Sequence, residues 1–355
     1  MSGPALYRPV ASGPVASGPA LDGPAGSGPT ASGPAPSGPA ASGRAASGPA
    51  VFGPALDGPA GSRSAGSVPS AGSPADPRLV VLGSVNMDLV VRTGHLPVPG
   101  ETTAGTDFVT IPGGKGANQA IAAAGAGGRV SFVGAIGDDD YGRRLAGGLV
   151  AAGVSTARLG QLPGSSGIAL ITVDDAAENT IVVVPGANAQ VTVTARDTEL
   201  IAAADILLLQ LELPFPTVLA GARAAAGAAV PVLLNPSPVA PLTPELLDLV
   251  TVLVLNEGEA RALGPAALAR VPHVVTTLGA SGARYLGPDG DRCQVPAPPV
   301  VAVDTTGAGD AFTGTLAVAW ARGLVPADAL GLACAAGATA TTYHGATAPP
   351  GSSSY

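Results

Sequence analysis

The stretch VDTTGAGDAF, residues 303–312, places three small residues directly before an acidic one. Gly307, Ala308 and Gly309 fall where a strand is expected to give way to a helix. Successive backbone N–H groups at the positive end of a helix suit a phosphate or a developing anion. Asp310 follows in the first helical turn. A carboxylate there would be repelled by bound phosphate, and a site tolerates this where the carboxylate must take a proton from a nearby hydroxyl. The plainer reading is an acidic residue favoured by the helix dipole.

A second stretch, GGKGANQA at 113–120, combines close backbone approach with donors. Its glycines, Gly114 among them, let main chain reach a ligand, and Lys115 and Asn118 offer donors to sugar hydroxyls. It is not a Walker A loop, because no Gly stands five before the Gly-Lys pair and no Ser or Thr follows the lysine. Lys115 is the only lysine in the chain. Polar residues also collect where strands should end: Asn86 and Asp88, Gln210 and Glu212, Asn235, Asn256 and Glu259, Thr277 and Gly279. Ligands of open parallel sheets bind beyond the carboxyl ends of the strands, so the pattern suggests a long polar crevice. Duller readings stand beside each: Asp88 as a turn residue, Asn235 before Pro236 as a loop opener, Glu259 as a helix cap. His95, His273 and His344 lack a carboxylate or Cys at ligand spacing and read as structural or surface residues.

The elements that must position these residues read as follows. Apolar runs at 78–83, 129–137, 205–212, 230–236, 250–256 and 273–279 are strands. Helical patterns fall at 115–126, 140–152, 194–203, 215–228, 243–249 and 257–263. Such alternation predicts an α/β fold: a doubly wound, mostly parallel sheet with helices on both faces. Residues near 89–111, broken by Pro97, Pro99 and Gly100, and the paired runs near 167–184 predict a small β-strand lid. A two-strand element at 283–295 precedes two Ala-rich helices, about 308–322 and 326–343.

Composition excludes several classes. The chain has 355 residues, a formal net charge of −8 and no basic cluster beyond Arg143–Arg144, which argues against nucleic acid as a partner. Two cysteines exclude a disulfide scaffold and fit a reducing, cytoplasmic setting. Apolar runs are too short for a membrane span, and the start lacks the features of a signal peptide. Residues 11–60 are ten pentapeptides with Gly third in every one. Residues 1–77 are dominated by Ala, Gly, Pro and Ser, so they are expected to be a disordered tail, either a spacer or a dispensable extension. Its charges, Arg8, Arg44 and Arg63 against Asp22, Asp57 and Asp76, cancel. The folded part is then one domain, 78–350, with a short tail at 351–355.

From about Leu79 to Pro349 the chain resembles the ribokinases, within the superfamily of ATP-dependent sugar and nucleoside kinases. GSVNMD (83–88), PGET (99–102), GGKGANQA (113–120), PGAN (185–188), QLE (210–212), NPSP (235–238), NEGE (256–259), TLGASGA (277–283) and DTTGAGDAF (304–312) occur in that family's order. The resemblance implies that Asn86 and Asp88 bind ribose hydroxyls, with Gly114, Lys115, Asn118 and Glu212 completing the pocket. It implies that Asn256 faces the ATP phosphates, that Glu259 organises magnesium and its waters, and that Thr277, Gly279 and Gly282 line the nucleotide site. Gly307, Ala308 and Gly309 would form an anion hole, and Asp310 would be the general base for the 5-hydroxyl. A potassium ion would sit beside it, held by Asp304, Thr306, Ala340, Tyr343 and Gly345. The lid would close over the sugar and pair with a second copy.

The chain departs from the family in a shorter Asn256–Thr277 segment, in Pro112 and Pro349, and in ending without the usual closing helix. The expected activity is ATP-dependent phosphorylation of D-ribose at the 5-hydroxyl. Alternatives are a kinase for another pentose, a ketohexose or a nucleoside, or a non-catalytic sugar-binding relative. Aromatic residues are 3% of the chain, which disfavours stacking of a nucleoside base.

Overall fold

Hydrophobic periodicity becomes layers in the computed structural model, which describes residues 76–343 and 345. The repeat tail lies outside the described residues. The described chain begins β1 (Arg78–Leu82), β2 (Asn86–Thr93), β3 (Gly105–Gly113), α1 (Lys115–Gly125), β4 (Arg129–Gly137), α2 (Asp140–Ala151) and β5 (Ser155–Leu162). It continues β6 (Gly167–Val173), β7 (Asn179–Val184), α3 (Ala195–Ala202), β8 (Ile206–Leu209), α4 (Phe215–Gly227), β9 (Val232–Leu234), α5 (Pro244–Leu249) and β10 (Val252–Asn256). It closes with α6 (Glu257–Leu263), α7 (Pro265–Leu268), β11 (His273–Thr277), β12 (Ala283–Leu286), β13 (Arg292–Val295), α8 (Ala308–Ala321) and α9 (Pro326–Ala340).

Nine strands form one sheet in the order β13-β12-β11-β10-β9-β8-β1-β4-β5. From β11 to β5 every pair is parallel, while β12 and β13 add an antiparallel edge. Alternate side chains of β1 enter opposite layers, as the period of two requires. Leu79 and Val81 pack with α1, α2, α8 and α9, whereas Val80 and Leu82 pack with α3, α4 and α5. Burial on both faces explains why β8 reads as the unbroken run ILLL.

The chain order reverses direction between β1 and β8, so the crevice at their carboxyl ends is the natural ligand site of such a sheet. A second, smaller sheet has the order β3-β2-β6-β7 and takes in the segments expected to form a lid. Its β2 starts at Asn86, three residues earlier than the flap expected at 89–111. Arg144 of α2 donates to the Thr110 hydroxyl of β3 at 3.0 Å, tying lid to core.

Several boundaries differ from expectation, for local reasons. The strand expected at 205–212 ends at Leu209, and that at 230–236 ends at Leu234. Beyond them the Asn235 N–H still donates to the Leu209 carbonyl at 2.9 Å, and the side chains of Gln210 and Asn235 turn to bond Gln119. Helix α9 stops at Ala340 instead of 343 because the Thr341 carbonyl accepts from the N–H groups of Val303 and Asp304. The edge strand β5 has no counterpart in the sequence reading. It carries Ser, Thr, Arg and Gln and is only partly buried, so it shows no apolar run.

Helices α1 and α8 cross closely because Gly314 has no side chain. A Cβ there would stand 2.9 Å from both the Ala122 Cβ and the Ala123 nitrogen of α1. That closeness brings the N-terminal turn of α8 against Asn118 and Gln119.

Candidate active site

Helix α1 is set down directly on the turn between β1 and β2. Gly114 has φ of 90°, and a Cβ on it would lie 2.7 Å from the Asn86 nitrogen. No other residue tolerates both conditions. Gly116 likewise faces the backbone of Gly83 and Ser84 without room for a side chain. The Ser84 hydroxyl and the Lys115 N–H, at 3.0 Å for the latter, both donate to Glu212 Oε2. Asn86 is fixed by Asn188, whose Nδ2 donates to Asn86 Oδ1 at 2.8 Å, leaving the Asn86 amide N–H groups as donors.

Asp310 stands in the first turn of α8 and is 8% exposed. Gln119 Nε2 donates to its Oδ1 at 2.8 Å, and Asn118 Nδ2 to its Oδ2 at 3.2 Å. Burial raises the affinity of Asp310 for a proton. Lys115 and the two amides oppose that rise, and Glu212 adds to it. Asp88, at the root of the lid, is pushed up to about 7, first by burial and then by the charges of Glu212 and Asp310, against the pull of Lys115. Three carboxylates therefore face one ammonium, and that ammonium has no ion-pair partner among the described residues. The arrangement suits a neutral polyol, whose hydroxyls can donate to carboxylates and accept from lysine. Asn118 Oδ1 is buried without a hydrogen-bond partner, and a ligand hydroxyl would satisfy it.

From Lys115 and Asp310 a cleft of about 140 Å³ runs past Gly307, Gly309 and Thr313 to Asn235, Asn256, Glu259 and Thr277. Gly307 is the left-handed N-cap of α8, with φ of 75°, and a Cβ on Gly309 would meet open space. Ala308 is the first helical residue. Gly307 and Gly309 border the cleft, at the helix end that suits an anion, while the Ala308 N–H donates to the Thr305 carbonyl at 3.3 Å. Asn256 and Thr277 are register partners on β10 and β11.

The capping reading of Glu259 is realised. Asn256 Oδ1 accepts from the Glu259 N–H and Glu259 Oε2 from the Asn256 N–H, both at 2.8 Å. Glu259 Oε1 retains its capacity to accept from a metal-bound water. Gly279 and Gly282, with φ of 57° and 91°, shape the turn after β11 and do not line the cleft. At Gly282 the Val295 carbonyl leaves no room for a side chain, so that glycine answers to packing.

Asp304 organises a second cluster behind the anion turn. Its Oδ1 accepts from the Thr306 N–H at 2.8 Å and its Oδ2 from the Gly345 N–H at 3.0 Å. Loop 303–306 is thereby joined to the end of α9, where Ala340 is buried and Tyr343 half-buried. Burial raises the Tyr343 hydroxyl. The Asp304 carboxylate is a hard-oxygen donor, of the kind alkali and alkaline-earth cations take.

Sequence reasoning gave no individual role to Gln119 or Asn188, although both lie inside the quoted motifs. Nor did it show that Gln210, Gln119 and Asn235 bond to one another. Their separations of 91 and 116 residues carry no spacing rule.

Comparison with known proteins identifies the family and the fold. Residues 76–352 match the pfkB family of carbohydrate kinases. A ribokinase of Bacillus subtilis is 42% identical over 254 residues, covering 69% of this chain and 86% of its own length. The structure of Arabidopsis thaliana ribokinase complexed with ribose and ATP superposes with a TM-score of 0.71 at 33% identity, covering 76% of this chain and 94% of that one. Ribokinase from Thermotoga maritima gives a TM-score of 0.70 at 34% identity, covering 76% and 94%.

Proposed function

This chain belongs to the pfkB family of carbohydrate kinases, and from that premise we infer that it transfers the terminal phosphoryl group of ATP to the 5-hydroxyl of D-ribose. The observation that carries the reading is the placement of Asp310. It is a buried carboxylate, held by two amides, at the junction of a polyol-type pocket with an open helix N-terminus. Similarity to ribokinases, one of them solved with ribose and ATP, supports the choice of sugar.

Asn86, Asp88, Lys115, Asn118 and Glu212 hold the sugar, with Gly114 allowing the close approach. Asp310 takes the proton of the 5-hydroxyl as its oxygen bonds to the terminal phosphorus. The bond to the bridging oxygen then breaks, and its electron pair leaves with ADP. The N–H groups of Gly307, Ala308 and Gly309 stabilise charge on the transferred group, and such positioning and charge stabilisation account for most catalysis of phosphoryl transfer. Asn256 and Thr277 border the nucleotide, and Gly279 and Gly282 shape the turn that follows Thr277. Glu259 would hold magnesium through water, which would supply charge neutralisation at the phosphates. Asp304, with the carbonyls of Thr306, Ala340, Tyr343 and Gly345, would hold potassium, whose charge would supply a positive field beside the anion turn.

The lid supplies the partner surface. Phe108, Leu170 and Val182 are exposed apolar residues that the strand register places on one face of the small sheet, and apolar patches of this kind mark contact surfaces. Two copies pair through them into a homodimer, whose mass in solution tests the assignment. The two cysteines are free thiols, in keeping with a cytoplasmic setting. Among the described residues no helix is long and apolar enough to cross a membrane. The repeat tail is dispensable for folding and activity.

The deciding experiment is ADP release by the full chain with D-ribose, other pentoses, a ketohexose and a nucleoside. Ribose should give the highest kcat/KM. Equal ATP turnover with and without sugar would overturn the assignment.

A further inference from the structure

We propose that Gln119 is a positioning residue for Asp310, and that Gln210 and Asn235 fix which way its amide faces. The inference rests on Asp310 serving as the base. Gln119 is fully buried and lines no part of the cleft. Its Nε2 donates both to Asp310 Oδ1, at 2.8 Å, and to Asn235 Oδ1, at 3.1 Å. Its Oε1 accepts from Gln210 Nε2 at 2.7 Å.

Every amide in this chain of bonds has one possible orientation. The Val254 carbonyl can only accept, so Asn235 presents Nδ2 to it, at 3.0 Å, and Oδ1 to Gln119. A carboxylate can only accept, so Gln119 presents its nitrogen to Asp310. Gln210 then closes the chain by donating to the remaining oxygen. Room for Gln210 comes from Gly83, where a side chain would run into Gln210 Oε1 and stand 2.6 Å from the Gly116 Cα. The array spans β8, β9, α1 and α8 at the point where strand order reverses. It holds the carboxylate plane of Asp310 and favours its ionised form, the form a base requires.

The charged groups facing Asp310 are Lys115 from α1, Glu212 after β8 and Asp88 from β2. None of them is touched by replacing Gln119 or Gln210.

The test is steady-state phosphorylation of D-ribose by the full chain as a function of pH, in Gln119→Met, Gln210→Met and Asp310→Asn. Gln119→Met keeps the volume and removes the donor. It should lower kcat by about 10- to 100-fold, leave the ribose KM within about twofold, and move the acid limb of kcat upward by about one pH unit. Gln210→Met should move the same limb in the same direction by less, because it reaches Asp310 only through Gln119. Should Gln119→Met not fold, the limb of Gln210→Met decides alone. An acid limb unmoved in the Met variants, with Asp310→Asn inactive, overturns the positioning role and leaves the base standing. An active Asp310→Asn overturns both.

Discussion

Asp304 and Gly345 are joined by a backbone N–H to carboxylate hydrogen bond of 3.0 Å across 41 residues of chain. The bond closes a ring of main chain behind the anion turn. If that ring holds potassium, activity should be several-fold higher in potassium than in sodium or lithium salts. Asp304→Ala should abolish the difference. Initial rates in the three chlorides at equal ionic strength measure it, and equal rates would remove the ion from the mechanism.

Asp310→Asn should keep the fold, because the side chains have nearly the same shape. One of the two amides that now donate to Asp310 must accept instead, and Asn118 has an unused Oδ1 to offer. Losing the proton acceptor should lower kcat by roughly 10²–10⁴-fold with little change in either KM. Calorimetry of ribose and ATP binding checks that the loss is in the chemical step.

Lys115→Ala should raise the ribose KM by tenfold or more, as expected for a charge-assisted hydrogen bond of about 1.5–3 kcal/mol. Arginine should not restore it, since a planar fork does not replace a compact ammonium. Lysine is also the cation that holds down the proton affinities of Asp88 and Asp310. The Ala variant should therefore show its acid limb of kcat/KM at higher pH than wild type.

Asp88 introduces a pH dependence of its own. Its folded value of about 7 lies above the ordinary carboxylate value of 3.8, so the folded state binds the extra proton between those limits. Below about pH 7 the group is neutral and a weaker acceptor for ribose hydroxyls, so the ribose KM should rise as pH falls through 7. Stability runs the other way. The ionised form is penalised by folding, and that penalty is full above pH 7 and fades as pH falls toward 4. Asp88→Asn should raise the melting temperature at pH 8 while weakening ribose, and a variant with unchanged melting temperature there would contradict the buried-charge account.

Much of this molecule is legible in its residue order, and the exceptions have physical causes. The glycines around Lys115 and before Asp310 declare close backbone approach, and strands buried on both faces declare themselves as apolar runs. Edge strand β5 does not, because half-buried Arg158 and exposed Gln161 interrupt any pattern. The Asn256–Glu259 box is legible as a three-residue spacing, whereas Gln210, Gln119 and Asn235 meet only after the sheet has brought distant segments together. A side chain's partner across the fold is set by topology, and no local period encodes it.

Gly314 bears on any attempt to make this enzyme more heat-resistant. Replacing helical glycine by alanine is a common route to stabilisation, worth about 1 kcal/mol where space allows. Gly147 of α2 and Gly331 of α9 have nothing within 4 Å of the added methyl, so both are sound targets. At Gly314 the same edit would push α8 off α1, carrying Asp310 away from the amides that hold it. Libraries that treat helical glycines alike would thus lose activity without gain at this position, as at the equally crowded Gly116, and a Gly314→Ala protein should lose turnover as well as melting temperature, while Gly147→Ala and Gly331→Ala gain melting temperature at unchanged turnover.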